Sequence, residues 1–229
     1  MMLLGAARYF SEAKSFNRTI HFIFQPAEEG GAGEKAMMED DLFEKFKCDA
    51  IYGLHNIPGI KAGHIGVRAG SVMAGSDEFK INFRGTGGHG SMSHKGTDAI
   101  IAATQFIVAS QTLVSREINP LEAGVVSVGH INAGDAGSLN IIPAEVHLGG
   151  RIRSFKPEVR DLLERRIDEM AKSTAAVFNC EADVHYRRGC PPTVNWTEQA
   201  EISLLAAKEA FGKENVIPNM QPLSGSEDF

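Results

Sequence analysis

The acidic stretch QPAEEGG, at residues 25–31, constrains the fold of this chain more than any other part of its sequence. It follows an apolar run at residues 20–24, which is typical of a buried strand. The adjacent carboxylates of Glu28 and Glu29 would repel each other and lose hydration at the end of such a strand, and a bound cation is the simplest group that offsets this cost. The alternative is a solvated acidic loop before a helix, where carboxylates favour the positive end of the helix dipole.

A second apolar run, at residues 50–55, predicts another strand and ends at His55. Open α/β sheets place their sites where strand ends face one crevice. One carboxylate to hold a metal, one to move a proton and one imidazole to complete the ligand set together favour metal-assisted hydrolysis. Taken alone, His55 fits equally well as a strand-end histidine that is satisfied by the backbone.

The composition excludes several classes of function. The chain has 229 residues, of which 43% are hydrophobic and 23% charged, and its formal net charge is −6, which is ordinary for a globular protein. The sequence contains no basic patch that would predict nucleic-acid binding, and no apolar run in it reaches the length of a membrane span. The three cysteines, an odd number without a Cys-x-x-Cys pair, are typical of a reduced, cytoplasmic protein.

The order of the predicted elements indicates an α/β protein with two domains. Residues 1–75 alternate helix and strand, with helices at 1–13 and 33–40 and strands at 19–24 and 50–55. A helix at 198–211 returns the chain, over residues 189–229, to this first pattern. The two segments therefore indicate one domain that is interrupted by an insertion.

The inserted residues, 76–188, predict the order strand, helix, strand, strand, helix, strand of the ferredoxin-like split motif. The six elements are expected at 78–84, 97–114, 124–131, 142–152, 157–177 and 182–188. Because the exposed edges of such a sheet are pairing sites, we expect dimerisation through this domain.

Two histidines, His89 and His94, lie in the glycine-rich loop after the strand at 78–84. Residues 85–90 match a G-x-G-x-x-G pattern, but no helix starts at Gly90 and the next acidic residue, Asp98, lies near a helix start, so dinucleotide binding is disfavoured. A histidine on a mobile loop of this kind can donate a hydrogen bond to an oxyanion. The alternative for either residue is a flexible surface histidine.

Asn140 and Arg153 flank the second strand of the predicted hairpin. An arginine at a strand end can clamp a carboxylate through two hydrogen bonds. Arg151 points the same way along the strand and is an alternative clamp. A surface salt bridge is the other interpretation of either arginine.

Together these residues resemble the amidohydrolase branch of the aminoacylase and carboxypeptidase-G family of dinuclear metallohydrolases, which includes hippurate hydrolases, N-acyl-amino-acid amidohydrolases and auxin-conjugate hydrolases. The resemblance implies an α/β catalytic domain, with a mixed sheet flanked by helices and two divalent metals, and an inserted ferredoxin-like lid that forms a homodimer. Zinc or manganese is the expected metal, with nickel and cobalt as alternatives. The matching segments are MLLGAARYF, FIFQPAEEGGAGEKAM, YGLHNIPG, GTGGHGSMSHKGTDAI, SLNIIPAEVHLGGRIRSF and SGSEDF.

The resemblance also implies roles for individual residues of the catalytic domain. Glu28 is similar to the general base that activates a metal-bound water, and Glu29 and His55 are similar to metal ligands. Glu227 lies in the family's EDF segment, near the site.

In the lid, His89 is similar to the histidine that reaches the partner's site in the dimer and stabilises the tetrahedral oxyanion. Asn140 and Arg153 are similar to the lid groups that recognise the substrate carboxylate. The expected substrate is therefore an N-acyl amino acid or a similar small amide.

The sequence departs from the family pattern at its metal ligands. In the family, a Cys-Gly-His-Asp block before the MLLGAA helix and a histidine after the EDF segment supply further ligands. Of the expected set this sequence contains only Glu29 and His55, whereas catalytic zinc generally needs three protein ligands. We therefore expect a fragment with an incomplete metal site, an incomplete catalytic sheet and no activity of its own.

Two alternatives to the amidohydrolase stay open at this point. A dipeptidase or carboxypeptidase of the same superfamily would differ in substrate alone. A lid-mediated dimerisation module without catalytic activity is a candidate from a different functional class.

Overall fold

A computed structural model describes residues 1–28 and 33–228. Its helices are α1 (Met2–Ala13), α2 (Gly33–Glu39), α3 (Leu42–Lys45), α4 (Ala99–Thr112), α5 (Pro157–Val177) and α6 (Thr197–Phe211). Its strands are β1 (Ile65–Val67), β2 (Gly70–Met73), β3 (Gly75–Arg84), β4 (Gly88–His89), β5 (Gly124–Ala133), β6 (Ile141–Ile142), β7 (Glu145–Ser154), β8 (Glu181–Arg188), β9 (Thr193–Asn195) and β10 (Val216–Pro218). Among the described helices, none combines the length and the apolar character needed to cross a membrane.

Contacts divide these residues into two units. The first unit contains Met1–Ala69, Trp196–Met220 and Asp228, and the second contains Gly70–Asn195 and Gln221–Glu227. Each unit combines helices with strands, so the chain is a mixed α/β protein.

In the first unit, β1 pairs in parallel with β10, with Ile65 opposite Val216. Helix α6 packs on both strands. It ends at Gly212, whose φ of 84° lies in the left-handed region that glycine adopts most readily. The pair therefore joins two segments that are far apart in the sequence.

The strands predicted at residues 19–24 and 50–55 are wrong for the described part of the chain, which has no strand in either segment. A strand is stabilised by hydrogen bonds to a neighbouring strand, and no described segment forms a ladder with either run. Apolar side chains of the second run are exposed, including Tyr52 (55%) and Leu54 (61%), whereas in the first run Phe24 (57%) is exposed and the other apolar side chains are partly buried. An apolar run is therefore not enough to form a strand, because a strand also needs a partner.

The second unit is built on an antiparallel sheet in the order β5–β7–β3–β8. The long elements follow one another in the chain as β3, α4, β5, β7, α5 and β8. Strand β3 lies inside the sheet, paired with β7 and β8, while β5 and β8 form its edges. Helices α4 and α5 pack against each other and against the sheet.

The core of the second unit lies between these two helices and the sheet. Helix α5 begins at Pro157, whose fixed φ and missing N–H suit the first helical position. Its buried stripe repeats every four residues, as expected for one face of a helix, and consists of Val159, Leu163, Ile167, Ala171 and Ala175. Strand β3 contributes Phe79, Ile81 and Phe83 to the same core. A Cβ on Gly150 would lie 2.2 Å from Cζ of Phe79, so glycine is required opposite this ring.

Asp77 is a buried charge at the start of β3, with 2% of its surface exposed. Arg160 of α5 donates from Nε to its Oδ2 at 2.9 Å and from Nη2 to the carbonyl oxygen of Gly189 at 2.8 Å. Tyr186 donates from Oη to Oδ2 at 2.7 Å, and the backbone N–H of Gly189 donates to Oδ1 at 3.0 Å. One carboxylate therefore joins β3, α5, β8 and the turn that follows β8.

These contacts change the pKa of Asp77. Burial alone would raise it, but the hydrogen bonds from Arg160 and Tyr186 and the charge of Arg160 outweigh burial, so the pKa of this carboxyl lies below its ordinary value. Because the folded-state pKa is lowered, the stability that the carboxylate contributes is complete above its unfolded-state pKa of about 3.9 and is lost as pH falls through the folded-state value.

Asp77→Asn should lower the free energy of unfolding of the second unit by about 3–5 kcal/mol, because the Arg160 guanidinium would stay buried without its counter-charge. Urea unfolding followed by circular dichroism measures this change. The variant should also lose less stability than the wild type on acidification, because the titrating carboxylate is gone.

Asp161→Asn is the matched control for this prediction. Asp161 lies on the same helix and pairs with Arg188 at 2.6 Å, but its side chain is 61% exposed. Its loss should cost less than about 1 kcal/mol. Equal losses in the two variants would contradict the role given to Asp77.

Candidate functional site

Carboxyl groups of the first unit come together around Asp228. This residue is 3% exposed, and its Oδ1 accepts a hydrogen bond from Nε2 of Gln25. A carboxylate oxygen of Glu28 lies within 4.8 Å of one of Asp228. Glu28 is exposed in a turn after the apolar run, whereas Glu29 lies outside the described residues.

A third carboxyl group, that of Glu34 in the first turn of α2, belongs to the same cluster. Burial raises the pKa of Glu34, and a hydrogen bond with the side chain of Asp228 raises it further. Oε2 of Glu34 and Oδ2 of Asp228 have no hydrogen-bond partner within the described part of the chain. Acidic groups this close share a proton or require a cation, so the cluster can hold either.

The start of α2 packs directly against the acidic segment. A Cβ on Gly33 would lie 1.7 Å from the carbonyl oxygen of Pro26, so only glycine fits there. This close approach brings the first turn of α2, which carries Glu34, beside the residues that precede Glu28.

The tautomer of His55 is determined by a backbone contact. Its Nδ1 lies 2.8 Å from the carbonyl oxygen of Asn56. A carbonyl oxygen can only accept, so Nδ1 carries the proton and the ring lone pair is on Nε2. Metal-binding histidines show the same arrangement, with one nitrogen donating to a carbonyl and the other facing the metal.

In the second unit, hydrogen bonds hold the glycine-rich loop that contains His89. The N–H of Thr86 donates to Oγ1 of Thr97 at 2.8 Å, and the N–H of Thr97 donates to Oγ1 of Thr86 at 2.9 Å. A Cβ on Gly96 would lie 2.1 Å from the carbonyl oxygen of Gly87. Glycine at position 96 therefore allows the two ends of this loop to pack closely through their backbones.

Asn140 lies beside His89. Strands β4 and β6 pair with His89 opposite Ile141, and the N–H of Gly90 donates to the carbonyl oxygen of Asn140 at 2.7 Å. His89 and Asn140 are both exposed, as is His94 in the short 3₁₀ turn Gly90–Lys95 that follows His89. His89 and Asn140, two of the predicted site residues, are therefore neighbours within one copy of the chain.

Arg153 lies at the opposite end of the sheet. Strand β7 begins after the loop that carries Asn140, and Arg153 is its penultimate residue. A strand of 10 residues spans roughly 30 Å at about 3.3 Å per residue. Within one copy of the chain, Arg153 and His89 are therefore too far apart to contact the same small substrate.

The surroundings of Arg153 distinguish it from Arg151. Arg153 is half-buried, and its Nη1 has no hydrogen-bond partner among residues 1–28 and 33–228. Burial lowers the pKa of its guanidinium and Arg151 lowers it further, while Cys190 and Asp77 act in the opposite direction. Arg151 is exposed and lies 3.4 Å from the carboxylate of Glu78. Arg153 is therefore the better candidate for binding an anion.

The sequence analysis missed Asp228 and Glu34. It singled out Glu227, the neighbour of Asp228, because Glu227 lies in the SGSEDF segment. The sequence did contain a signal for Asp228, because residues 227–228 are two adjacent acids, like the pair at 28–29. The contact between Glu34 and Asp228 joins distant segments and has no local signature.

Curated relatives match almost the whole chain. It is 41% identical to the hippurate hydrolase of Campylobacter jejuni over 227 residues, which are 99% of this chain and 58% of that protein. It is 39% identical to the N-acetyl-L-cysteine deacetylase of Bacillus subtilis over 228 residues, 99% of this chain and 53% of that protein. It is 38% identical to IAA-amino acid hydrolase ILR1-like 4 of Arabidopsis thaliana over 233 residues, 100% of this chain and 52% of that protein. The chain spans a little over half the length of these relatives.

Solved structures share the fold. A protein from methicillin-resistant Staphylococcus aureus, named as an aminohydrolase, matches 100% of this chain and 58% of its own chain, with a TM-score of 0.86 and 31% identity. A Bacillus subtilis protein described as a dinuclear metal binding peptidase of the M20 family matches 99% of this chain and 56% of its own, with a TM-score of 0.75 and 28% identity.

The sequence profile of one peptidase family matches residues 1–229. This match and the relatives above confirm the resemblance that the sequence motifs indicated. The chain therefore belongs to peptidase family M20/M25/M40.

Proposed function

We propose that the whole protein is a metal-dependent amidohydrolase that cleaves the amide bond of N-acyl amino acids or similar small amides. Family membership supports this, as do relatives named for hippurate, N-acetyl-L-cysteine and IAA-amino acids. Arg153 carries the proposal, because it is half-buried and its Nη1 has no hydrogen-bond partner among the described residues, which suits a substrate with a free carboxylate.

Glu28 is the proposed general base. It would take a proton from the attacking water and pass it to the leaving nitrogen of the amide. Its exposed position in the turn after residues 20–24 supports this role, because a base of this kind must be reachable by substrate and water.

Glu29 and His55 are the proposed metal ligands, for zinc or manganese with nickel and cobalt as alternatives, at two metals per site. The contact between His55 and Asn56 supports the assignment of His55, since it leaves the lone pair on Nε2. A metal bound there would polarise the scissile carbonyl and activate water. Because two ligands are fewer than catalytic zinc generally has, we expect hydrolysis from a protein that carries further ligands and none from residues 1–229 alone.

Residues 76–188 are the proposed ferredoxin-like lid, inserted into a catalytic domain formed by residues 1–75 and 189–229. We propose that the lid forms a homodimer through β5. This edge and the adjacent α4 expose Val125 (43%), Ile131 (54%) and Val108 (63%). The other edge, β8, ends in the charged Arg187 and Arg188, which disfavour pairing with another strand.

A dimer would also account for the two separated groups of the lid. His89 and Asn140 lie together, whereas Arg153 lies at the far end of β7. We propose that His89 and Asn140 reach the partner's site. There His89 would stabilise the oxyanion, and Asn140 would bind the substrate carboxylate together with the Arg153 that belongs to that site.

The second candidate function is a dimerisation module without catalytic activity. The location of the hydrophobic core cluster favours it, because that cluster lies within the second unit. A dipeptidase or carboxypeptidase of the same superfamily would use Arg153 in the same way and would differ in the group on the other side of the scissile bond.

Glu28→Gln tests the proposed base in the form of the protein that carries the family's remaining ligands. We expect kcat to fall by about 10²–10⁴-fold, because the amide cannot accept the proton, while the metal content measured by mass spectrometry stays unchanged. Glu39→Gln, an exposed acid of α2 paired with Lys35, is the control and should keep near-normal turnover. Near-normal turnover of the Glu28 variant would show that another group is the base.

Arg153→Met tests carboxylate recognition in the same protein. We expect kcat/KM for an N-acyl amino acid to fall by about 10- to 100-fold, because a charge-assisted hydrogen bond is lost. Arg151→Met should change it by less than about twofold, since Arg151 is exposed and lies beside Glu78. A larger loss in the Arg151 variant would assign the clamp to Arg151 instead.

A further inference from the structure

The ring of His89 caps the short helical turn that follows it. Its Nδ1 accepts a hydrogen bond from the backbone N–H of Ser91 at 3.2 Å, and Oγ of Ser91 lies 2.8 Å from the same nitrogen. Both groups of Ser91 therefore converge on one nitrogen of the ring.

The backbone contact determines which nitrogen carries the proton. A backbone N–H can only donate, so Nδ1 must offer its lone pair, and the proton of the neutral ring is then on Nε2. The hydroxyl of Ser91 can donate or accept, and beside an unprotonated Nδ1 it donates. The two contacts are consistent with one tautomer, the Nε2–H form.

The position of the ring is fixed as well as its tautomer. The backbone of His89 pairs with Ile141, and the N–H of the next residue, Gly90, donates to Asn140 at 2.7 Å. His89 is exposed, and its Nε2 makes no hydrogen bond with any described residue. A single N–H donor is therefore held at the surface beside Asn140.

We infer that Ser91 is a positioning residue that holds His89 in the neutral Nε2–H form, so that His89 acts as a hydrogen-bond donor and not as a base or a metal ligand. The inference deepens the proposed function and rests on it for the identity of the acceptor, the oxyanion. A donor preorganised in this way stabilises developing negative charge without reorganising during the reaction. A ring held in the Nδ1–H form would present a lone pair to the oxyanion and would repel it.

The tautomer can be measured on the 229-residue chain by a method that does not require the chain to be active. Long-range ¹H–¹⁵N NMR of protein labelled in its histidine rings distinguishes a protonated from an unprotonated ring nitrogen. The chain has eight histidines, and the signals of His89 are those that disappear in His89→Gln. At a pH well above the ordinary histidine pKa of about 6.5, we expect Nδ1 of His89 to be unprotonated and Nε2 to be protonated.

Three substitutions separate positioning from simple capping of the turn. Ser91→Thr keeps the hydroxyl and should keep the tautomer. Ser91→Ala removes one of the two donors and should shift the tautomer ratio towards Nδ1–H by about five- to tenfold, the effect of one ordinary hydrogen bond. Ser91→Asp places an acceptor beside Nδ1 and should make Nδ1–H the major form. Ser93→Ala, in the same turn, is the matched control and should change nothing.

The inference is overturned if wild-type His89 is protonated on Nδ1, or if Ser91→Ala and Ser91→Asp leave the tautomer ratio unchanged. In the active protein, Ser91→Asp should lower kcat about tenfold with little change in KM. Ser91→Thr, which keeps the hydroxyl, should keep the wild-type kcat. A shifted tautomer without any change in kcat would support the positioning role of Ser91 and would refute the proposed oxyanion role of His89, so the two failures are distinguishable.

Discussion

The ion pair between Asp77 and Arg160 is the interaction on which the second unit depends. A charge in the interior is tolerated only when every polar atom around it is satisfied, and here Arg160, Tyr186 and Gly189 together satisfy one carboxylate. The central strand, the longer helix and the turn after the edge strand must all be in place before this condition is met. The pair therefore specifies how these elements fit together more than it adds to their net stability.

The same arrangement separates the charge of Asp77 from that of Arg153. Ser76 of β3 is paired with Arg153 of β7, and Asp77 is paired with Ile152. Paired residues share one face of the sheet, and neighbouring positions on a strand lie on opposite faces. Asp77 faces the helices and is neutralised by Arg160 there, whereas Arg153 belongs to the other side. A one-residue slip in the register of β3 would exchange these faces, so the ion pair also protects the environment of Arg153.

The length of β7 places the polar groups of the second unit at two opposite ends of its sheet. His89 and Asn140 need the pairing of β4 with β6 at one end, and Arg153 needs the start of β3 at the other. In the proposed homodimer, this separation would let each copy contribute to two sites. The apolar edge at β5 offers a surface on which such an assembly can form.

The sequence predicted those parts of the fold that depend on local periodicity. The bounds of α5 agree with the prediction because its buried residues recur every four positions, and α4 begins after Asp98, which caps it. The strands β1 and β10 were missed because they are three residues long and their partner is distant in the sequence. Strands were predicted at 19–24 and 50–55 because both runs are apolar, but apolar character alone does not supply a partner strand.

The candidate site was predictable to a similar extent. Glu28, His55, His89, Asn140 and Arg153 could be named because each follows a strand pattern or a family motif. The proximity of Asp228 to Glu34 depends on tertiary geometry, which no spacing in the sequence encodes. The contact of Ser91 with the ring of His89 joins residues two apart and depends on the local backbone conformation of the turn. The separation of Arg153 from His89 also became visible only when the strands were placed.

The central claim is metal-dependent hydrolysis of an amide in a substrate that carries a free carboxylate. The most direct test is the release of amine by the whole protein from an N-acyl amino acid and from the matched N-acyl amino amide, with and without a chelator. The account predicts hydrolysis of the acid, at least about a hundredfold slower hydrolysis of the amide, and loss of both when the metal is removed. Equal rates on the two substrates, or hydrolysis that persists in the chelator, would contradict it.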